Sequence, residues 1–217
     1  MNSKDLNVLF EDNHLLVLCK PAGILVQGDQ TGDVTLLTLA KDYIKEKYAK
    51  PGNVYLGLVH RLDRPASGVI VFARTTKAAG RLMKQFQQRQ TRKIYLCLAE
   101  GELPLNGSWK DCIERREATS YIANGEPNAS LSFKRLNFHD GISLAEVELH
   151  TGKHHQIRVQ FAGRGFPIIG DFRYGSKRKF PERAIALHAR ELRIEHPTTK
   201  EMLTFSCEPD SAWRDFV

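Results

Sequence analysis

The chain carries, at residues 60–68, the run His60-Arg61-Leu62-Asp63-Arg64-Pro65-Ala66-Ser67-Gly68, followed by the apolar segment Val69–Ala73. A turn that leads into an apolar strand is typical of a loop that a rigid sheet holds in place. Two arginines flank Asp63, and nearby cations favour the ionised form of a carboxylate, which is the form that acts as a nucleophile or base. Asp63 is therefore the first candidate for chemistry. Alternatively, Asp63 only caps the turn while the arginines are solvated.

The pattern around this loop predicts an α+β fold with a mixed, mainly antiparallel sheet flanked by helices. Helices are expected at residues 34–49, 75–89 and 155–162. Strands are expected at residues 8–10, 15–19, 54–59, 69–73, 92–100, 130–138, 142–150, 184–194 and 202–207, with a hairpin excursion at 103–127. In the first helix Tyr48 is expected on the buried face, and in the second Met83.

The composition narrows the class of partner. The chain has 217 residues and a formal net charge of +7, and a basic protein of this size favours polyanionic partners. No apolar stretch approaches the length of a membrane-spanning helix, and the N-terminus lacks the order of a signal peptide. We therefore expect a cytoplasmic protein that binds nucleic acid rather than membrane.

The cysteines and histidines indicate neither a metal site nor a disulfide framework. The four cysteines have no CxxC spacing, and Cys19 and Cys97 lie in apolar runs that are typical of buried reduced thiols. His154 and His155 are adjacent, so they cannot both face one site from a regular strand. The sequence contains no phosphate-binding glycine motif. No metal and no cofactor are expected.

Four segments resemble, in register, the RluA family of RNA pseudouridine synthases. They are Lys20-Pro21-Ala22-Gly23, the run at 60–68, Lys93-Ile94-Tyr95, and Thr151-Gly152-Lys153-His154-His155-Gln156-Ile157-Arg158. The resemblance extends from Leu15 to Phe205 and implies the pseudouridine synthase catalytic fold. Because Leu15 already begins the pattern, we expect residues 1–217 to form a single catalytic domain without an appended N-terminal RNA-binding domain.

The resemblance implies three catalytic residues. Asp63 matches the family's essential aspartate, Arg158 its ionic partner, and Tyr95 the aromatic residue that stacks on uracil. Judged by type alone, Tyr95 is an ordinary strand aromatic and Arg158 a surface cation.

Five further residues are expected to contact RNA. Arg61 is placed to fill the space that a uridine vacates when it leaves its stack. Lys20 and Lys153 are candidates for phosphate contacts, although solvated lysines are an alternative, and His60 and His155 complete the set. No residue is expected to bind a metal.

Three positions depart from the family pattern. Ala66 stands where threonine is usual, Lys153 where arginine is usual, and Gln160 where a histidine commonly follows the arginine. Lysine keeps the charge at 153 but loses the planar fork for bidentate contacts. These departures bear on substrate preference more than on the reaction.

We therefore expect an isomerase, an RNA pseudouridine synthase that acts as a monomer on uridines of ribosomal or transfer RNA stem-loops. Two alternatives stay open at this point. A catalytically silent RNA-binding module would not need Asp63. A nucleoside glycosidase acting on small molecules would not need a basic surface.

Overall fold

The computed structural model describes residues 2–28, 32–181 and 184–216. The chain forms two compact units. The first comprises the residues up to Thr91 together with Glu191–Glu208, and the second comprises Arg92–Arg190 and the residues from Pro209 onward. The expectation of one catalytic domain stays a prediction.

The first unit is built on short antiparallel strands and two helices. The strands are β1 (Asn7–Glu11), β2 (Leu15–Lys20), β3 (Gly57–Leu58), β4 (Ser67–Ala73), the last residues of β10 (Leu187–Glu195) and β11 (Met202–Ser206). The helices are α1 (Leu36–Lys47) and α2 (Thr76–Gln87). β2 pairs with both β1 and β4, β3 pairs with β4, and β10 pairs with β11. Thr35 and Thr75 cap the two helices by accepting a backbone N–H three residues ahead.

The core of the first unit lies where α2 packs on these strands. β2 and β4 are buried almost throughout, which explains their continuous apolar sequence. Val17 and Val71 of the strands and Leu82 of α2 belong to one buried cluster that also includes Ile194 of β10. Because β4 is buried on this core, the loop that precedes it starts from a rigid support.

In its described residues, the second unit contains five antiparallel strands, the first residues of β10 and one α-helix. Its strands are β5 (Arg92–Glu100), β6 (Asn106–Arg116), β7 (Thr119–Ala123), β8 (Ala129–His139) and β9 (Ile142–Leu149), and its helix is α3 (Gln156–Ala162). The strands lie in the order β5-β9-β8-β6-β7, and each neighbouring pair is antiparallel. The hairpin expected at 103–127 is formed by β6 and β7.

The α+β fold with a mainly antiparallel sheet is confirmed, but some local expectations are wrong. Of the strand expected at 54–59, only Gly57–Leu58 forms a strand, β3. The side chains of Tyr48 and Met83, which were expected on buried faces, are exposed. Gln85 is buried instead, because its amide donates to the carbonyl of Glu195 at 2.9 Å and accepts from the N–H of Glu195 at 3.0 Å. A polar side chain that completes a strand's hydrogen bonds thus occupies a core position that periodicity gives to an apolar residue.

The expectation of reduced thiols is wrong for Cys19. Cys19 of β2 and Cys207, which follows β11, form a disulfide across 188 residues of sequence. The two cysteines are far apart in sequence, and only the fold brings their Cα atoms to 6.3 Å, a distance that a disulfide can bridge. Sequence spacing therefore did not reveal this pair. Cys97 is free and buried, and burial raises the pKa of its thiol.

Gln85→Ala is expected to lower the free energy of unfolding by about 1–3 kcal/mol, because it leaves a buried donor and acceptor of Glu195 without partners. Gln87→Ala is the matched control, since Gln87 is an exposed glutamine on the same helix, and it should stay within about 0.5 kcal/mol of the parent. Urea unfolding of the three proteins measures the difference. Equal stability of the two variants would contradict the role of Gln85.

Candidate active site

The loop at 60–68 joins β3 to β4 and presents Asp63. Asp63 is half-buried, while Leu62 and Ala66 on either side of it point into the protein. The backbone N–H of Ala66 donates to the carbonyl of Asp63 at 3.1 Å and closes a turn. Gly68 then adopts φ 120°, a conformation that favours glycine, as the chain enters β4. Asp63 therefore lies on a short turn fixed at both ends.

The side chain of Lys20 holds this turn in place. Its side chain is completely buried, and its Nζ donates to the carbonyls of Pro21 at 3.0 Å, Arg64 at 3.1 Å and Ala66 at 2.6 Å. A buried amine with three carbonyl acceptors binds together the two chain segments that supply them. The small Ala66 contributes the shortest of these contacts through its backbone, so the loop is braced without the hydroxyl that is usual there.

The electrostatics of Lys20 follow from this burial. Burial lowers the pKa of its ammonium to about 7, an effect that the Asp63 carboxylate opposes and Arg64 reinforces. The Asp63 charge is thus close enough to act on the amine. Complete burial argues against the predicted phosphate contact of Lys20, because Nζ is engaged by the loop and withdrawn from the surface.

The two segments that Lys20 joins are also bonded directly. The N–H of Gly23 donates to the carbonyl of Arg64 at 2.8 Å, and the Nε of Arg64 donates back to the carbonyl of Gly23 at 3.0 Å. Arg64 also pairs with Asp33 at 2.9 Å. These residues line an open cavity of about 490 Å³ beside the loop.

The predicted RNA contacts of the loop differ in exposure. Arg61 is exposed, as a residue that enters a nucleic acid must be. His60 is half-buried: its Nε2 accepts the N–H of Val71 at 3.0 Å, and its ring stacks on Phe86 with centroids 4.7 Å apart. These contacts support a role for His60 in placing the loop on β4.

The other predicted site residues lie in the second unit. Tyr95 is half-buried on β5, on the face opposite to the buried Ile94 and Leu96. Two residues earlier, Lys93 donates from Nζ to the carbonyl of Thr151 at 3.2 Å. The Lys93-Ile94-Tyr95 strand is thereby joined to the loop that opens α3.

Gln156 organises that loop, although the sequence analysis gave it no role. Its side-chain oxygen accepts from the Thr151 hydroxyl at 2.7 Å and from the N–H of Lys153 at 3.1 Å. Its amide donates to Ser130 and to Gln160. Gln160, at a position where histidine is common, in turn donates from its side-chain amide to the Asp111 carboxylate at 2.6 Å. Both glutamines are buried, whereas Lys153 is exposed and able to meet a phosphate.

Arg158 of α3 is buried, with 4% of its surface exposed, so the alternative of a surface cation is wrong. Its Nε donates to Asp171 Oδ2 at 2.6 Å and its Nη2 to Oδ1 at 2.9 Å. The Tyr174 ring covers the guanidinium at 5.0 Å from the centroid. Arg158 is therefore fixed at one edge and on one face.

Two histidines surround this group from the turn before α3. His155 has a left-handed backbone with φ 53°, its Nδ1 lies 2.8 Å from the Tyr174 hydroxyl, and its ring stacks on His154 at 3.7 Å. His154 Nδ1 lies 2.9 Å from the Ser120 hydroxyl of β7. The neighbouring rings meet because they lie in a turn and not in a strand.

Sequence reasoning missed Asp171 and Tyr174. A usable signal was present: Arg158 lies between apolar residues of α3, and a buried arginine requires a counter-ion. Asp171 and Tyr174 stand between Gly170 and Gly175.

The sequence model of the RNA pseudouridylate synthase family matches residues 14–163. The chain belongs to this family. Its enzyme class is that of an RNA isomerase, and the predicted class is confirmed. Among the described residues, no three His, Cys, Asp or Glu side chains group as metal ligands, and no helix in these ranges is long and apolar enough to cross a membrane.

Curated relatives support the RluA-type assignment. The chain is 36% identical over 206 residues to the uncharacterized RNA pseudouridine synthase YhcT of Bacillus subtilis, covering 92% of this chain and 67% of that protein. It is 34% identical over 211 residues to ribosomal large subunit pseudouridine synthase D of Nitrosomonas europaea, covering 91% and 60%. The chain thus spans about two thirds or less of the length of these two relatives.

Solved structures share the fold. Human RNA pseudouridylate synthase domain containing 4 aligns with a TM-score of 0.81 at 22% identity, covering 98% of this chain and 94% of that one. Human RNA pseudouridylate synthase domain containing 1 aligns with a TM-score of 0.77 at 26% identity, covering 97% and 85%. The predicted pseudouridine synthase fold is therefore confirmed.

Lys20→Met is expected to alter how stability depends on pH. Because folding lowers the pKa of Lys20 from 10.5 to about 7, the unfolded chain binds more protons between these values. The contribution of Lys20 to stability therefore rises with pH in this range, by at most about 1.4 kcal/mol per pH unit. Urea unfolding of parent and variant at pH 7, 8 and 9 measures it.

Lys153→Met is the matched control, because Lys153 is exposed. The difference in unfolding free energy between the parent and Lys20→Met should grow with pH, while that between the parent and Lys153→Met should stay constant. Lys20→Met should also be less stable at every pH, because three carbonyls lose their donor. A constant difference for Lys20→Met would contradict the titration of Lys20 in this range.

Proposed function

We propose that this chain converts uridine to pseudouridine in ribosomal RNA, with Asp63 as the essential catalytic residue. The observation that carries the proposal is how Asp63 is held: its turn is tied to Lys20 of β2, whose buried amine donates to three carbonyls, two of them in the turn. A carboxylate held in this way keeps its direction while a substrate is exchanged. The family match supplies the reaction that such a carboxylate serves.

The reaction needs no redox step. The bond between the anomeric sugar carbon and the uracil nitrogen breaks, the detached uracil turns, and a new bond forms from the anomeric carbon to ring carbon 5. Carbon 5 gives up its proton and the released nitrogen takes one up, so that the product is an isomer of the substrate. The Asp63 carboxylate can attack the anomeric carbon or take a proton from the sugar, as carboxylates do in glycosidic chemistry. Both routes require Asp63 to be ionised.

Arg158 and Tyr95 complete the proposed catalytic group. Arg158 is the ionic partner of Asp63 that the motif match implies, and its burial with a fixed geometry supports a role beyond solvation. Tyr95 stacks on the uracil, and its hydroxyl lies near the atom that loses a proton. The half-buried position of Tyr95 on β5 is compatible with a ring that has one face available.

The substrate is proposed to be a stem-loop of large-subunit ribosomal RNA, because the relative from Nitrosomonas europaea is named as a synthase of that subunit. Transfer RNA is the other outcome of the test. The charge of +7 and the exposed Arg61 and Lys153 support binding to the phosphate backbone. We propose that the protein acts on this RNA in the cytoplasm as a monomer.

Asp63→Asn is expected to reduce uridine conversion by at least 1000-fold while RNA affinity stays within threefold of the parent, because the substitution removes the charge and keeps the shape. Pseudouridine is mapped in ribosomal and transfer RNA from cells that lack the gene, before and after incubation with each protein. Asp33→Asn is the matched control, since Asp33 also pairs with the loop through Arg64.

The parent and Asp33→Asn should restore pseudouridine at the same ribosomal positions. Sites restored only in transfer RNA would replace the substrate proposal and leave the enzyme class intact. An Asp63→Asn protein that works within tenfold of the parent would remove Asp63 from its catalytic role. Failure of the parent on every RNA, with binding retained, would favour the silent RNA-binding module.

Arg61→Ala is expected to act mainly on folded RNA. Extruding a uridine from a stem-loop costs a few kcal/mol of unstacking, which an unstructured oligonucleotide avoids. The single-turnover rate should fall at least tenfold more on the stem-loop than on the oligonucleotide. Lys77→Ala, which removes an exposed charge from α2, controls for the loss of a cation. An equal loss on both RNAs would contradict the unstacking role.

A further inference from the structure

Arg158 in α3 and Arg164, which follows that helix, each pair with a carboxylate but in different surroundings. Arg158 pairs with Asp171 under the Tyr174 ring, and the side chains of the pair are 5% and 2% exposed. Arg164 pairs with Asp111 at 3.0 Å, with Trp109 at 4.5 Å from its guanidinium, and there the side chains are 28% and 11% exposed. The Arg164 pair thus provides a more exposed comparison for the buried Arg158 pair.

We propose that Asp171 and Tyr174 are positioning residues for the reaction, which set the direction of the Arg158 guanidinium. This inference rests on the proposed function, in which Arg158 is the ionic partner of the catalytic carboxylate. Neither residue touches the reacting atoms in this proposal. Both act through Arg158.

Asp171 determines which edge of the Arg158 guanidinium forms the ion pair. Its two oxygens engage Nε and Nη2, the side-on arrangement that fixes the plane of the group as well as its position. Because this contact fixes the plane of the guanidinium, it also sets the direction in which Nη1 points. A lysine could not be fixed in this way, because an ammonium has no plane.

The segment that carries Asp171 is itself rigid. The carbonyl of Asp171 accepts the N–H groups of Tyr174 at 3.0 Å and Ser176 at 3.1 Å. Gly170 has φ 83°, and a Cβ there would lie 2.5 Å from the Ala184 carbonyl oxygen. Only glycine allows this close approach. The Asp171 carboxylate is therefore carried by a hydrogen-bonded turn whose conformation requires glycine at position 170.

Tyr174 closes the face of the guanidinium and is held at its far end. The Tyr174 hydroxyl accepts the N–H of Ser120 at 2.8 Å and lies 2.8 Å from His155 Nδ1. Because the ring lies against one face of the guanidinium, it blocks rotation of Arg158 out of the Asp171 plane. A cation–π contact of this kind adds attraction in a dry site.

The buried pair also contributes to stability, because removing one partner leaves a buried charge. A test must therefore separate positioning from folding. Single-turnover kinetics do so: loss of folded enzyme lowers the amplitude of the first turnover, whereas a misdirected Arg158 lowers its rate constant. RNA affinity, measured separately, should be unaffected by either.

Asp171→Asn and the control Asp111→Asn are compared with the parent at saturating RNA. Asp171→Asn should lower the rate constant at least 30-fold, with RNA affinity within threefold of the parent. Asp111→Asn should leave both within threefold. A parental rate constant in Asp171→Asn, at any amplitude, would overturn the proposal, and so would an equal loss in Asp111→Asn.

Tyr174→Phe and Tyr174→Leu keep the proposal testable if Asp171→Asn does not fold, because neither leaves a charge without its partner. Tyr174→Phe retains the ring over Arg158 and should keep the rate constant within threefold. Tyr174→Leu should lower the rate constant at least tenfold with affinity retained. Equal rate constants in the two variants would overturn the role of the ring.

Failure of this inference is distinct from failure of the proposed function. If the parent forms pseudouridine and Asp63→Asn does not, the proposed function stands whatever Asp171 does. If the parent forms none, the proposed function fails, and this inference, which rests on it, fails with it.

Discussion

A fully buried amine, that of Lys20, is the constraint on which the proposed catalytic loop depends. Taking a cation out of water is unfavourable unless its donors are satisfied, and here three backbone carbonyls from two chain segments satisfy them. The segments are held by the same atom, so neither can move alone. The half-buried Asp63 owes its fixed position to this contact and to the antiparallel pairing of β2 with β4.

The second unit also buries a basic side chain, and different groups stabilise it there. Arg158 is also withdrawn from water, and a carboxylate and an aromatic face contact it. The contacts of Lys20 fix the position of its amine, whereas the contacts of Arg158 fix both the position and the plane of its guanidinium. That difference suits the proposed roles: a loop needs an anchor, and a guanidinium that pairs with a carboxylate needs a direction.

Much of the fold followed from periodicity, and the errors share one cause. Tyr48 and Met83 have the spacing of core residues but lie in solvent, and Gln85 is buried because its amide completes the hydrogen bonds of a strand more than a hundred residues away. The Cys19–Cys207 disulfide depends on the same kind of distant encounter. Periodicity reports which face of an element is apolar, but it does not report what that face meets.

The sequence by itself determined the family, the enzyme class and the candidate residues, because motif spacing is a property of the chain. It placed Asp63 among cations, and it marked Arg158 and Tyr95 by their neighbours in sequence. Only the tertiary structure decided that Lys20 faces inward and that Asp171 is the partner of Arg158. The physical reason is that burial and ion pairing are decided by residues far apart in the chain, where desolvation selects a partner that no local pattern specifies.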